Sequence, residues 1–168
     1  MILGLSIAAF TQLHVIISLI AIISGLIVLF GMIGSRRMAG WTALFLAATV
    51  FTSLTGFLFP IHGFTPALGT GLICTAVLAV ALFANYGKQL DGAWRWIYVV
   101  TAVAALYFNV LVLIVQTFQK LSVLKPLAPT QSEPPFIAAQ AAALLFFLVM
   151  GAVAVLRFRP GLSVPAYH

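Results

Sequence analysis

The sequence predicts an all-α integral membrane protein, a bundle of five transmembrane helices with the N-terminus outside and the C-terminus cytoplasmic. Three observations carry that expectation. Of 168 residues, 64% are hydrophobic and 6% charged, more apolar side chain than a soluble chain of this size can enclose. Five apolar runs, at about 8–33, 41–59, 67–87, 95–118 and 136–156, are long enough for a hydrocarbon core of about 30 Å, which takes roughly 20 helical residues. The basic residues, finally, divide unequally between the two sides those runs would create.

The runs follow one another with chemically sensible breaks. No charge precedes the first run, which continues uncharged to Ser35, so it reads as a retained span and not a cleaved signal. G-S-R-R-M-A-G at 34–40 separates it from the second run, and P-I-H-G-F-T-P at 60–66 separates the second from the third. G-K-Q-L-D-G at 87–92 precedes the fourth, and a proline-rich stretch at 119–135 precedes the fifth. Backbone in lipid must bond within its own segment, and none of the runs shows the alternation of barrel strands, so each reads as a helix. Residues 1–168 form a single transmembrane domain with no internal repeat and no soluble domain.

Orientation follows from the charges. Arg36, Arg37, Lys88, Arg95, Arg157 and Arg159 fall on one side and Lys120 and Lys125 on the other, which makes the first side cytoplasmic. Trp41, Trp94, Trp96, Tyr86 and Tyr98 gather at that same boundary, where amphipathic rings favour the headgroup region. The net charge of +6 is scattered in ones and twos at run edges, which argues against nucleic acid as a partner. The lone Cys74 allows no intrachain disulfide. The expected location is multi-pass in a bacterial cytoplasmic membrane, with the lipid bilayer as the first partner.

Polar side chains concentrate towards the outer face. His14 and Ser18 lie on span 1, Ser53 on span 2, His62 in the turn after it, Asn109 and Gln116 on span 4, and Gln140 on span 5. Thr49, Ser53 and Gly56 share one helical face, as do His14, Ser18, Ala21 and Gly25. The connection before span 5 carries Pro126, Pro129, Pro134 and Pro135 and is too long for a minimal turn; it would fold over the pocket and add Gln131 and Glu133 to it. The candidate ligand set is therefore His14, Ser18, Ser53, His62, Asn109, Gln116, Gln131, Glu133 and Gln140. An ionisable group within a span is by default a functional hypothesis, and His14 with His62 could hold a haem iron or part of a metal site. The candidate cofactor is thus one haem or one metal ion near the outer face.

Plainer roles compete for the same residues. Ala67-Gly71-Cys74 and Gly151-Ala154 suit close helix packing, and Asn109 and Gln116 suit bonds to neighbouring helices. Asp91, four residues before Arg95, suits a helix cap or an ion pair with it. Glu133 before Pro134 suits the positive end of a helix dipole, and His168 closes a short inner tail. The chain has no G-x-S-x-G, H-E-x-x-H or C-x-x-C motif, no phosphate-cradling glycine loop and no charge in the middle of any run, so any reaction would fall to a bound cofactor.

The L-H at 13–14, the following apolar helix with Gly25 and the loop R-R-M-A-G at 36–40 together resemble a group of small bacterial multi-span membrane proteins. That group starts a helix with leucine-histidine and closes an Arg-rich first inner loop with a histidine-arginine pair before a glycine. The resemblance covers the first two helices, and Arg36 stands here where the group has its inner histidine. The resemblance therefore implies at most one haem, at the outer face, in contrast to two-haem membrane cytochromes.

Three functions fit these features. The chain could be a binding module or accessory subunit with an outward pocket for a hydrophobic small molecule such as a quinone, lipid or haem. It could be a structural subunit, either of a homo-oligomer or of a larger membrane complex, docking through its small-residue seams. A transporter or channel for a neutral solute is the third, though an odd number of spans disfavours a simple inverted repeat.

Overall fold

A backbone flanked by apolar side chains closes its hydrogen bonds on itself wherever water is scarce. In the computed structural model, which describes residues 2, 4–60, 63 and 66–160, it does so as five helices. These are α1 (Ile7–Ile33), α2 (Ala39–Phe57), α3 (Pro66–Leu82), α4 (Trp94–Lys120) and α5 (Pro134–Arg157). A π turn over Phe83–Gly87 extends α3, and a short 3-10 turn over Lys125–Leu127 interrupts the last connection. All five helices are long and apolar enough to cross a membrane. Their ends fall within two residues of the expected runs once the π turn is counted with α3.

Local chemistry sets the ends. Ser6 caps α1, its hydroxyl accepting from the Ala9 amide at 3.2 Å. Gly34 ends the helix, and Ser35 follows in the left-handed region at φ 55°, turning the chain sharply into Arg36 and Arg37. Pro134 and Pro135 open α5, where their missing amides cost nothing.

Packing places α4 at the centre. It touches α1, α3 and α5, while α1 packs most extensively on α2 and also meets α5. One close approach is at Gly25 of α1, where an added Cβ would stand 2.6 Å from Leu106 Cδ1 and 2.8 Å from Phe45 Cε2. Small residues permit this approach, and three helices share one level there. Phe45, Leu29, Leu46, Val99, Tyr98 and Leu106 fill the surrounding core. α5 is the outlier: among its described residues only Phe147 and Ala154 are buried.

The expected pairing of Asp91 with Arg95 does not form. Arg95 Nη1 donates to the carbonyls of Phe158 and Val155, the latter at 3.2 Å, and so caps the C-terminal end of α5. Unsatisfied carbonyls at a helix terminus in apolar surroundings need a donor more than a solvated carboxylate does. Asp91 instead uses its backbone carbonyl, which accepts from the Trp94 amide at 2.9 Å.

Candidate functional site

Two ends of the bundle differ chemically: one carries His14, the other the arginines. At the His14 end, α1 and α2 form an antiparallel hairpin, and its register brings Thr55 opposite His14. His14 Nδ1 lies 2.7 Å from Thr55 Oγ1. The Thr55 hydroxyl proton is already committed, since Oγ1 donates to the Phe51 carbonyl at 2.6 Å. Thr55 therefore accepts, Nδ1 donates, and the neutral ring keeps its lone pair on Nε2. The Phe59 ring stands edge-on to the imidazole at 5.4 Å, and Phe10 packs on Phe59 at 5.1 Å. Gly56 leaves room beside the ring, where an added Cβ would sit 3.7 Å from His14 Cε1.

Helix rise relates the other polar groups to this pair. From the level shared by Gly25, Phe45 and Leu106, His14, Gly56 and Gln116 each lie ten or eleven residues along their helices towards the same end, about 15–17 Å. Gln116 shares the face of Asn109, two turns away, and Asn109 is the residue that reaches α2: its Nδ2 donates to Thr49 Oγ1 at 3.3 Å. Thr49 passes its own proton to the Phe45 carbonyl at 2.8 Å, so this buried pair is satisfied. Ser18 gives its proton to the His14 carbonyl at 2.8 Å, and Ser53 lies against Cys74 of α3. Thr52 Oγ1 and Gln116 Oε1 are buried without a hydrogen-bond partner.

The remaining candidates serve the other side of α4. Gln140 Nε2 donates to the Leu111 carbonyl at 3.3 Å, which leaves Gln140 Oε1 buried and unbonded. Gln131 Nε2 donates to the Val115 carbonyl at 3.1 Å, and its Oε1 accepts from Gln119 at 3.3 Å. Thus the long connection does fold onto the bundle, burying its own Ala128, but it clasps the end of α4. His62 and His168 lie outside the described residues. Among the described residues no group of three or more His, Cys, Asp or Glu is placed to hold a metal. His14 is the candidate haem or metal ligand within them.

Glu133 turns back into the connection. Its carboxylate accepts from the Thr130 amide at 3.1 Å, the Thr130 hydroxyl at 2.8 Å and the Ser132 amide at 3.1 Å. Desolvation pushes this carboxyl up, but the bonds from Thr130 and Ser132 outweigh it and hold it below its ordinary value. A depressed folded value means that the loop gains its support above the unfolded pKa of about 4.3 and loses it as pH falls through the folded one. Amide exchange at Thr130 and Ser132, corrected for intrinsic rates, is therefore expected to stay slow down to about pH 4 and to accelerate below it. Glu133→Gln should show the fast rate throughout; a wild-type loop indifferent to acid would contradict this.

Sequence reading missed Thr55, Thr52 and Phe59. A signal existed for Thr55 to within one helical turn: counted from the centre of the 34–38 turn, the position opposite His14 is Leu58, and Thr55 lies one turn before it on the same face. Comparison with protein-family models, with curated proteins and with solved structures finds no match. The resemblance of the first two helices accordingly rests on its own residues.

Proposed function

We propose that the protein is a small multi-pass binding module of a bacterial cytoplasmic membrane, N-terminus outside, whose His14 end receives a hydrophobic ligand with a hydroxyl-bearing headgroup. The observation that supports this most is the pair of buried, unbonded oxygens, Thr52 Oγ1 and Gln116 Oε1, in the same half of the bundle as the His14–Thr55 pair. Such orphans cost about 1–3 kcal/mol each, a cost that a bound ligand removes. The open positions are mostly acceptors: a carbonyl oxygen, a hydroxyl oxygen and the imidazole lone pair. They call for donors, and a reduced isoprenoid quinone brings two hydroxyls on an apolar body. Haem and a lipid headgroup are the competing ligands.

The test is titration of the protein in nanodiscs with a short-chain quinol and its quinone. Quinol should bind the more tightly, and His14→Ala, Gln116→Leu and Thr52→Val should each weaken it roughly tenfold. Thr52→Val should at the same time stabilise the ligand-free protein, because it deletes an unsatisfied hydroxyl. Equal affinity across the variants would sink the reading. A Soret band that disappears in His14→Ala would replace quinol with haem.

A second reading, accessory subunit of a larger membrane complex or homo-oligomer, is favoured by α5. Leu145, Leu148 and Leu156 are 64%, 61% and 72% exposed on a helix with two buried residues. A defined partner or dimer mass retained in mild detergent supports it; a monomer does not.

A further inference from the structure

The arginine end holds a cleft that the His14 site does not explain. Its wall is built from four helices and the residue after α5: Val28 and Met32 of α1, Thr42 of α2, Tyr98 of α4, Phe158, and Asn85 of the π turn. Arg36 and Arg37 stand at its mouth. The π turn explains Asn85, since one extra residue in the last turn of α3 rotates its amide inward, where the residue is 4% exposed. Tyr98 is 2% exposed, and its hydroxyl closes no hydrogen bond, although Thr42 stands beside it. The enclosed part of the cleft is water-sized.

Charge at this end is lopsided. Six basic residues face a single acid, Asp91. Arg95 is spent on the end of α5, and Lys88 lies over the Phe83 and Trp94 rings at 5.5 and 5.8 Å. Arg36 and Arg37 are exposed, and Arg37 makes only a long contact, 3.5 Å, to Gln89 Oε1. Two guanidiniums at the rim, with a buried phenol and a buried amide behind them, form a donor set that matches a phosphate oxyanion.

We propose that this cleft binds a phosphate group at its mouth, either the phosphodiester of an anionic lipid headgroup or a free phosphate. Arg36 and Arg37 take the charge, and Tyr98 with Asn85 orients the group through the water-sized space beneath. The Trp and Tyr residues at the same end place the mouth at headgroup depth.

Native mass spectrometry of the whole protein in micelles containing phosphatidylglycerol reads the site directly. One lipid should stay bound to the wild type. Tyr98→Phe, which removes only the unbonded hydroxyl, should release it at least roughly fivefold more readily. The Arg36→Gln/Arg37→Gln double variant should lose it, and Arg157→Gln, a basic residue outside the cleft, should keep it. Circular dichroism should show all three folded. Displacement by millimolar inorganic phosphate assigns the site to free phosphate, and resistance to it assigns the site to the lipid. No retained lipid and no phosphate binding would overturn the proposal. So would retention that falls with every arginine removed but ignores Tyr98→Phe, since that pattern is surface charge alone.

Discussion

Gly25→Leu is expected to disrupt the bundle more than any other single substitution at a described glycine within a helix. A Cβ there already meets Leu106 Cδ1 at 2.6 Å and Phe45 Cε2 at 2.8 Å, and both neighbours are 1% exposed. Leu106 could swing its terminal methyl aside, but the Phe45 ring is wedged between α1 and the core and has nowhere to go. Overpacking of this kind costs about 1–3 kcal/mol for a methyl or two, and leucine adds four carbons at this crossing. The expected result is loss of a monodisperse folded species in mild detergent, or a thermal midpoint lowered by many degrees. Gly40→Ala is the control: nothing lies within 4 Å of its added Cβ, and alanine is the better helix former by up to about 1 kcal/mol. A Gly25→Leu protein as stable as that control would mean that α1, α2 and α4 do not converge there.

Arg95→Ala should release the last turns of α5. This helix buries only Phe147 and Ala154, so a larger share of its docking depends on the guanidinium that spans from α4 to the Val155 and Phe158 carbonyls. Hydrogen bonds from a charged donor contribute about 1.5–3 kcal/mol each, and here the carbonyls have little other recourse. Hydrogen exchange across residues 150–160 should accelerate by one to two orders of magnitude, roughly what about 1.5–3 kcal/mol of local stability amounts to. Arg95→Lys should recover part of the protection, because its ammonium keeps the charge and can donate to both carbonyls as the single Nη1 does, but from a shorter side chain. Unchanged exchange in Arg95→Ala would show that lipid or packing alone holds the end of α5.

Much of the fold was legible because lipid-scale hydrophobicity is a one-dimensional signal. Run length and the placement of Gly, Pro and Arg gave five helices with ends right to within two residues. Side-chain partnerships were legible only where helical spacing alone decides them. The stripe containing Thr49 pointed to a shared face, yet which helix would answer it, Asn109 of α4, depends on bundle order that the sequence does not encode locally. Arg95 shows the same limit from the other direction: sequence proximity suggested Asp91, and the true partner lies 60 residues away at the end of α5. The candidate site divided likewise. His14 and Gln116 came out level with one another, whereas Gln131, Glu133 and Gln140 were drawn to backbone groups on the far side of α4 or within their own loop. A polar side chain in apolar surroundings bonds whatever accessible acceptor or donor lies nearest, so convergence at one depth is not convergence at one site.

Which way the bundle sits decides from which side each proposed site is reached: in the proposed orientation the His14 end faces outward and the arginine end the cytoplasm. Single-cysteine labelling in intact cells decides this. In a Cys74→Ala background, Ser122→Cys lies in the connection between α4 and α5, and Asp91→Cys lies between the π turn and α4 at the opposite end. A membrane-impermeant maleimide should modify Ser122→Cys in intact cells and Asp91→Cys only after lysis. Modification of Asp91→Cys in intact cells, with Ser122→Cys protected, would invert the bundle and contradict the account.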